Sequence, residues 1–376
     1  MAKIPLSVYI HVPFCRSRCI YCDFLSFAGC EGRAGDYVAA LCADICESGG
    51  KFLDYEIETV FFGGGTPSLL SIRHLTDVLE MLGESFDIAN DVHMSIESNP
   101  DTVSEDYLKD LKNLGFNRIS FGVQSFNNKL LKTIGRVHDA ETAAWAVHAA
   151  ANAGFDDINI DLIFNLPHQD FSDFGESLDI ALSLPITHIS CYALTVEEDT
   201  PLADAQCALL RDAMGDEDKD RAMYALAKEK LEIAGFLHYE TSSWARPGME
   251  CAHNVGYWTG REYVGFGLGA SSYFKNRRLK KTECIDSYIN NDFKFNILEE
   301  LEAQAQMAEF VILGLRMTAG IDVNDFRTRF GHDIFDIFAG PLCKHLDDGL
   351  LVHKDYKIAL TSKGIDLANT VFRGFL

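Results

Sequence analysis

The chain has 376 residues, 47% of them hydrophobic, which is enough for one large domain and a smaller one. Acidic residues outnumber basic ones 56 to 33, and the formal charge of −23 argues against nucleic acid or an anionic membrane as a general partner. No apolar run approaches the roughly 18 residues of a membrane span and no secretory leader is visible, so a cytoplasmic protein with largely reduced cysteines is expected.

Along the first 240 residues, strand and helix patterns alternate. Near-continuous apolar runs at 8–12, 59–62, 92–97, 118–122, 158–164 and 188–194 are rich in Val, Ile, Phe and Tyr, as buried parallel strands are. Helical patterns fall near 36–48, 72–82, 104–114, 139–153, 172–183 and 217–235. Three of them end in a Gly-Phe pair, at Gly115-Phe116, Gly154-Phe155 and Gly235-Phe236, where glycine suits the left-handed position past a helix. Repeated βα units predict a parallel barrel or an open doubly wound sheet, and six units are too few for a closed eight-stranded barrel.

The chemistry begins where the first strand ends. Cys15, Cys19 and Cys22 follow it with the spacing CxxxCxxC. Four thiolates fill the iron sites of an ordinary [4Fe–4S] cluster, whereas three would leave one iron open to a small molecule. Packed or zinc-binding cysteines are the alternative, and His11 is the only nearby fourth ligand for zinc. Cys42 and Cys46 stand at i,i+4 spacing and read as packing residues, while Cys30, Cys191, Cys207, Cys251, Cys284 and Cys343 show no ligand spacing.

Phe61-Phe62-Gly63-Gly64-Gly65-Thr66-Pro67 follows the second strand, and its glycines allow close approach of the backbone to a ligand or a tight turn. Glu97 ends the third strand, Gln124 the fourth, and Asp161 lies inside the fifth. A charge within an apolar strand costs several kcal/mol unless paired or ligand-bound, so these residues form either a structural hydrogen-bond network or a binding site.

After residue 240 the pattern changes. Residues 244–273 are rich in aromatics and glycine, and they include His253-Asn254-Val-Gly-Tyr257-Trp258 and the turn Gly265-Phe-Gly-Leu-Gly-Ala270. A lone histidine there is more often structural than a ligand. The basic run Lys275 to Lys281 is either a solvated loop or a contact for carboxylates. Residues 282–318 look helical. The tail reads as two helices, a two-strand wing over Gly349 to Thr361, and a final helix. Such winged-helix-like domains often bind DNA, but the acidic balance favours a packing or lid role.

The cysteine loop, with Tyr9-Ile-His-Val-Pro-Phe-Cys15 before it and Tyr21-Cys-Asp-Phe24 at its end, resembles the cluster motif of the radical S-adenosylmethionine (SAM) family. The flanks resemble the branch that holds oxygen-independent coproporphyrinogen III oxidases and HemW-type haem chaperones. The resemblance runs over essentially the whole chain and implies an α/β fold. That fold is a partial (β/α)6 TIM-like barrel over 1–240, a connecting segment over 241–300 and a winged-helix-like α+β domain over 301–376. It implies a [4Fe–4S] cluster on Cys15, Cys19 and Cys22, with SAM on the open iron. In that family one electron from the reduced cluster cleaves SAM to methionine and a 5′-deoxyadenosyl radical. The SAM contacts carry over to Tyr9, Tyr21, Gly64, Gly65, Thr66, Glu97, Gln124, Arg136, Asp161 and Ala193, with one or two SAM molecules left open.

Two departures separate this chain from the oxidases. The oxidase motif has a further cysteine two positions beyond the third, where this chain has Phe24, and only eight residues precede Tyr9, leaving no room for the oxidase's N-terminal arm. The HNxxYW run from His253 matches a HemW-type signature. The resemblance therefore implies a haem carrier with His253 as candidate ligand, haem as cargo, haem-accepting proteins such as respiratory enzymes as partners, and a one-electron reductant. It implies no nucleic acid and no integral membrane segment, with peripheral membrane contact open. The competing expectations are oxidative decarboxylation of coproporphyrinogen III and methylation of haem by a radical SAM methyltransferase.

Overall fold

A computed structural model describes residues 3–376. Six parallel strands form in chain order, β1 (Ile4–Val12), β2 (Tyr55–Gly64), β3 (Asp87–Ser98), β4 (Arg118–Gln124), β5 (Asp157–Phe164) and β6 (His188–Ala193). Between them lie α1 (Ala34–Gly49), α2 (Ile72–Ser85), α3 (Glu105–Asn113), α4 (Ala140–Asn152) and α5 (Phe171–Ser183), and α6 (Glu217–Ile233) follows β6. A doubly wound sheet reverses its strand order at a switch point. Here each strand pairs with the next and the order never reverses. Helix α1 packs on α2, α2 on α3, α3 on α4, and α5 on α6, as one outer layer around a curling sheet.

The helix starts are chemically marked. Ser71, Ser104, Asp139, Asp170 and Asp216 each accept the backbone N–H three residues on, satisfying a donor the helix leaves unpaired. Three ends use the Gly-Phe pairs as expected. Gly115, Gly154 and Gly235 have positive φ, and Phe116, Phe155 and Phe236 are buried.

The chain from Leu237 onward adds further strands to this sheet. Leu237–Glu240 (β7) and Ser243–Ala245 (β8) extend it antiparallel beyond β6. After α7 (Ala252–Trp258), Tyr263–Phe266 (β9) enters on the other side as a seventh parallel strand, beside β1. Ser271–Phe274 (β10), Arg277–Lys280 (β11) and Asn296–Glu300 (β12) then complete the order β12-β11-β10-β9-β1-β2-β3-β4-β5-β6-β8-β7. The two ends do not pair with each other, so the barrel stays open.

Two expectations are corrected here. Residues 282–318 are not helical throughout. A short helix (Ile285–Ile289) precedes the edge strand β12, and only α8 (Ala303–Gly314) is a full helix. The run 296–300 is made of helix-compatible residues, but all five are exposed and strand pairing with β11 decides their state. The basic run is also not a free loop. It is the β10–β11 hairpin, with Lys275 and Asn276 in the left-handed conformation at its turn. Arg278 pairs with Glu309, and Lys281 is buried against Asp44 of α1 at 2.7 Å.

The C-terminal part has its own core, built by α8, α9 (Val323–Phe330) and α10 (Ile334–Asp347). Ile321–Asp322 (β13), Leu351–Lys354 (β14) and Lys357–Leu360 (β15) form the wing sheet, and Asp355 and Tyr356, both at positive φ, make its two-residue turn. The expected final helix is two short ones, α11 (Ser362–Asp366) and α12 (Ala368–Arg373). No helix among the described residues is long and apolar enough to cross a membrane.

The Lys281–Asp44 pair ties this added hairpin to the barrel. Asp44 also accepts from Tyr288 at 2.8 Å, and Lys281 donates to the Phe293 carbonyl at 2.6 Å. Removing one partner strands a buried charge, so Lys281→Met is expected to cost about 3–5 kcal/mol in urea unfolding. Replacing both as Lys281→Met with Asp44→Leu should recover most of that. A single variant as stable as the parent chain would show that the pair does not hold the hairpin.

Candidate functional site

The C-terminal ends of the parallel strands share one rim, and the cysteine loop sits on it. Strand β1 runs into Phe14-Cys15, which pairs in parallel with Phe27-Ala28 and pins the loop at both ends. Within the loop, Cys22 N–H donates to the Cys19 carbonyl at 3.3 Å, and Ile20 N–H donates to the Ile134 carbonyl at 3.2 Å. The three sulfurs share a cavity with Tyr21, Gly64, Gly65, Thr66, Glu97, Gln124, Arg136 and Asp161. This cavity joins eleven of the fourteen residues singled out from sequence.

The glycine turn is bound to the cysteine strand. Gly65 N–H donates to the Val12 carbonyl at 2.8 Å and Thr66 N–H to the Phe14 carbonyl at 2.7 Å. A Cβ on Gly65 would stand 2.6 Å from the Phe14 oxygen and 3.0 Å from Cys15 Sγ. On Gly64, at φ +110°, it would strike the His11 ring at 2.5 Å. The close approach these glycines permit is therefore first to the cysteine-bearing strand itself. Thr66 Oγ1 lies 3.5 Å from Cys15 Sγ and Arg136 Nη1 lies 3.6 Å from Cys19 Sγ, so both can donate to sulfur.

His11 is not a fourth metal ligand. Its Nε2 bonds the Leu25 carbonyl at 2.8 Å and its Nδ1 the Tyr9 hydroxyl at 3.1 Å. No three metal-ligating side chains among the described residues converge on a single-ion position. Cluster ligands need not converge, because each thiolate holds a different iron of the cube. Burial and the neighbouring Cys19 and Cys15 push Cys22 up to about 11, so the loop alone keeps it as a thiol and metal entry must displace a proton.

Two carboxylates face the same cavity, and neither forms an ion pair among the described residues. Glu97 accepts from Gly64 N–H at 3.1 Å, and Asp161 accepts from Asn159 Nδ2 at 2.9 Å. Burial, with the Asp161 charge added to it, pushes Glu97 up to about 7. Burial also raises Asp161 above the usual carboxylate range. A cationic ligand would relieve both. Gln124 takes φ +68° at a register shift between β4 and β5, and that turns its side chain out of the ladder at the rim. Arg136 donates to Asn99 Oδ1 at 2.7 Å and to the Gly122 carbonyl, which aims it across the site. Asn99 in turn donates to Thr66 Oγ1 at 3.1 Å. The residues present thus suit a sulfur-bound cluster and an adjacent small cation carrying a carboxylate.

Three expected residues lie elsewhere. Ala193 lines a neighbouring cavity of about 660 Å³ between the end of β6 and the C-terminal helices, with Tyr192 as the shared wall. Tyr9 is half-buried between His11 and Phe61 and borders a separate hollow. His253 is 2% exposed. Its Nδ1 bonds Thr59 Oγ1 at 2.8 Å, its Nε2 the Tyr257 hydroxyl at 2.9 Å, and its ring stacks on Phe61. Burial lowers it to about 3, so it stays neutral. In this arrangement both nitrogens are already hydrogen-bonded, and a ligand role would require one of these bonds to break. Asn99, Ser120 and Tyr192 also line the cysteine cavity without having stood out in sequence. The polar run Ser98-Asn99 at the end of β3 was the available signal for the first.

Comparison with known proteins places these features in a family. A model of the radical SAM superfamily matches residues 9–181, and one of the HemN C-terminal domain matches 301–367. The heme chaperone HemW of Bacillus subtilis (strain 168) is 34% identical over 376 residues, covering 98% of this chain and 99% of its own. That of Lactococcus lactis subsp. lactis (strain IL1403) is 35% identical and covers 100% and 98%. That of Escherichia coli (strain K12) is 38% identical over 72% of this chain and 71% of its own. The solved coproporphyrinogen III oxidase HemN of Escherichia coli shares the fold, with TM-score 0.86 at 23% identity, covering 100% of this chain and 91% of that one.

Two outcomes follow from the geometry. Between about pH 4.5 and 7 the folded chain holds a proton on Glu97 that the unfolded chain has lost, so stability falls as pH rises through that window. Glu97→Gln removes this slope. The cofactor-free variant should melt above the parent chain at pH 8, with the gap closing below pH 5, and a gap independent of pH would contradict the assignment. His253→Ala should cost roughly 1–3 kcal/mol by orphaning buried partners. The Soret band of added haem should stay in place, and a shifted band would restore the ligand role.

Proposed function

The chain belongs to the radical SAM superfamily and, within it, to the HemW family, and from that membership we propose that it carries haem to acceptor proteins and holds a [4Fe–4S] cluster and SAM. The observation that carries this reading is the set of three cysteines with no fourth. Cys15, Cys19 and Cys22 line one cavity, and Phe24, 58% exposed, stands where an oxidase of the branch has its further cysteine. Three thiolates on a four-iron cube leave one corner for a ligand.

The chain's own residues supply the rest. Gly64 and Gly65 keep the second strand's end against the cysteine loop, and Thr66 and Arg136 point donors at two of the sulfurs. Glu97 and Asp161 provide negative charge for the amine and sulfonium side of SAM, and Arg136 and Asn99 provide donors for its carboxylate and ribose. When bound, the cluster and SAM would supply one-electron chemistry from an external reductant. A buried, partly closed cavity keeps water away from that chemistry.

The oxidase shares the fold, and at 23% identity the likeness extends no further. The missing cysteine favours carrier over oxidase. Anaerobic reconstitution should load iron and sulfide onto the parent chain and not onto Cys19→Ser. The reduced protein given coproporphyrinogen III and SAM should form no protoporphyrinogen IX, and the haem-loaded protein should pass intact haem to an apo-haem protein. Appearance of protoporphyrinogen IX would replace the carrier assignment with the oxidase.

A further inference from the structure

A second cavity lies where α7 and the β9–β11 strands meet α8 and α9 of the C-terminal part. Its volume is about 240 Å³, and it shares no lining residue with the cysteine cavity. Tyr257, Trp258, Tyr263, Tyr273 and Phe310 make its walls. Tyr257 and Tyr263 meet edge to face with centroids 4.7 Å apart, and Arg316 covers the far side of Trp258 at 4.4 Å. An aromatic-walled cleft of this kind accepts a flat ring system.

The rim is cationic, and its arginines are not equivalent. Arg278 is neutralised by Glu309, and Arg261 pairs with Glu58 at 3.0 Å. Arg261 nevertheless keeps a buried Nη1 without a partner. Arg329 makes no ion pair among the described residues. It lies over the Phe310 and Phe330 rings at 5.8 and 5.5 Å and reaches only the Gly260 carbonyl, at 3.5 Å. Arg329 is thus the arginine of this cleft that no carboxylate among the described residues neutralises, and its guanidinium is available to an anion.

We propose that this cleft binds the cargo, a planar tetrapyrrole, taking one edge of its ring between the tyrosines and Trp258 and its carboxylates on Arg329 and the free donor of Arg261. The proposal rests on the haem-carrier reading and names where that cargo sits. At about 240 Å³ the cleft is below the roughly 300–1,000 Å³ of sites that enclose a drug-sized ligand. Part of the macrocycle, with its metal, stays outside. A carrier needs that, because an acceptor must reach the metal before the carrier lets go. Packed rings also lead from the cleft to Tyr9 on β1, the strand that runs into the cysteine loop. Tyr9, Phe61, His253, Tyr257 and Tyr263 succeed one another at 6.3, 5.0, 4.9 and 4.7 Å.

The test uses the anaerobically reconstituted full chain, titrated with haem, with metal-free protoporphyrin IX and with its dimethyl ester. Arg329 is exposed, so Arg329→Glu leaves the core untouched. The variant should bind haem and metal-free protoporphyrin about tenfold more weakly or worse, as expected when a charge-assisted contact to a carboxylate is reversed, and bind the ester like the parent. Hydrogen exchange on the parent chain should show haem protecting 257–263 and 306–313. Unchanged haem affinity in Arg329→Glu without that protection would overturn the cleft and leave the carrier reading standing. Binding of haem but not of metal-free protoporphyrin would also overturn it, since recognition would then lie in the iron. A parent chain that binds no haem would defeat the carrier reading itself.

Discussion

The site depends on one constraint, the unbroken parallel pairing of β1 through β6. Parallel strands send all their C-terminal ends to the same rim, and the register decides which residues meet there. Val12 stands opposite Gly64, Phe62 opposite Ile96, Glu97 opposite Ser120 and Gly122 opposite Asp161. Residues spread over nearly 150 positions of sequence are thereby gathered around the cysteine loop. A one-residue slip in any pair would turn its polar end residue to the other face.

The rim also concentrates uncompensated polarity. Glu97 and Asp161 are held in a poorly solvated place, and the Asp161 charge adds to the burial that disfavours the charge of Glu97. Arg136 hydrogen-bonds toward a sulfur and a carbonyl, and its charge, with that of Arg118, offsets the burial of Asp161 only in part. Folding alone gains nothing from this arrangement. It makes sense as a provision for a ligand with a cationic end toward the acids and an anionic end toward the arginine. The second cleft, with its unpaired Arg329, has the complementary character, and the two cavities can serve two different molecules.

How much of this could be read from sequence follows from the range of the interactions involved. The six strands and their helices carry local signals, namely apolar runs, caps and Gly-Phe stops, and they fall where the pattern puts them. The strand Tyr263–Phe266 carries no such signal, because its partner β1 lies some 250 residues away and only tertiary pairing makes it a barrel strand. The edge strand Asn296–Glu300 looks like helix for the same reason. The cysteine trio, the glycine turn, Glu97, Gln124, Arg136 and Asp161 share one cavity, since motif spacing and strand-end position are both local properties. The surroundings of His253 were only partly legible, because Tyr257 follows one turn on in α7 whereas Thr59 and Phe61 lie on β2 and reach it only through the fold. Asn99 and Tyr192 escaped notice because asparagine and tyrosine at strand ends have many ordinary roles.

The central claim is a metal cluster with one corner left to a small molecule. It is tested most directly by electron–nuclear double resonance on the anaerobically reconstituted, reduced protein with SAM labelled at its amino nitrogen and carboxylate oxygen. The account predicts hyperfine coupling from both labels to the cluster spin, lost when SAM is omitted. Absence of both couplings in protein that carries a full complement of iron and sulfide would mean that every corner is already held by the chain, and would contradict it.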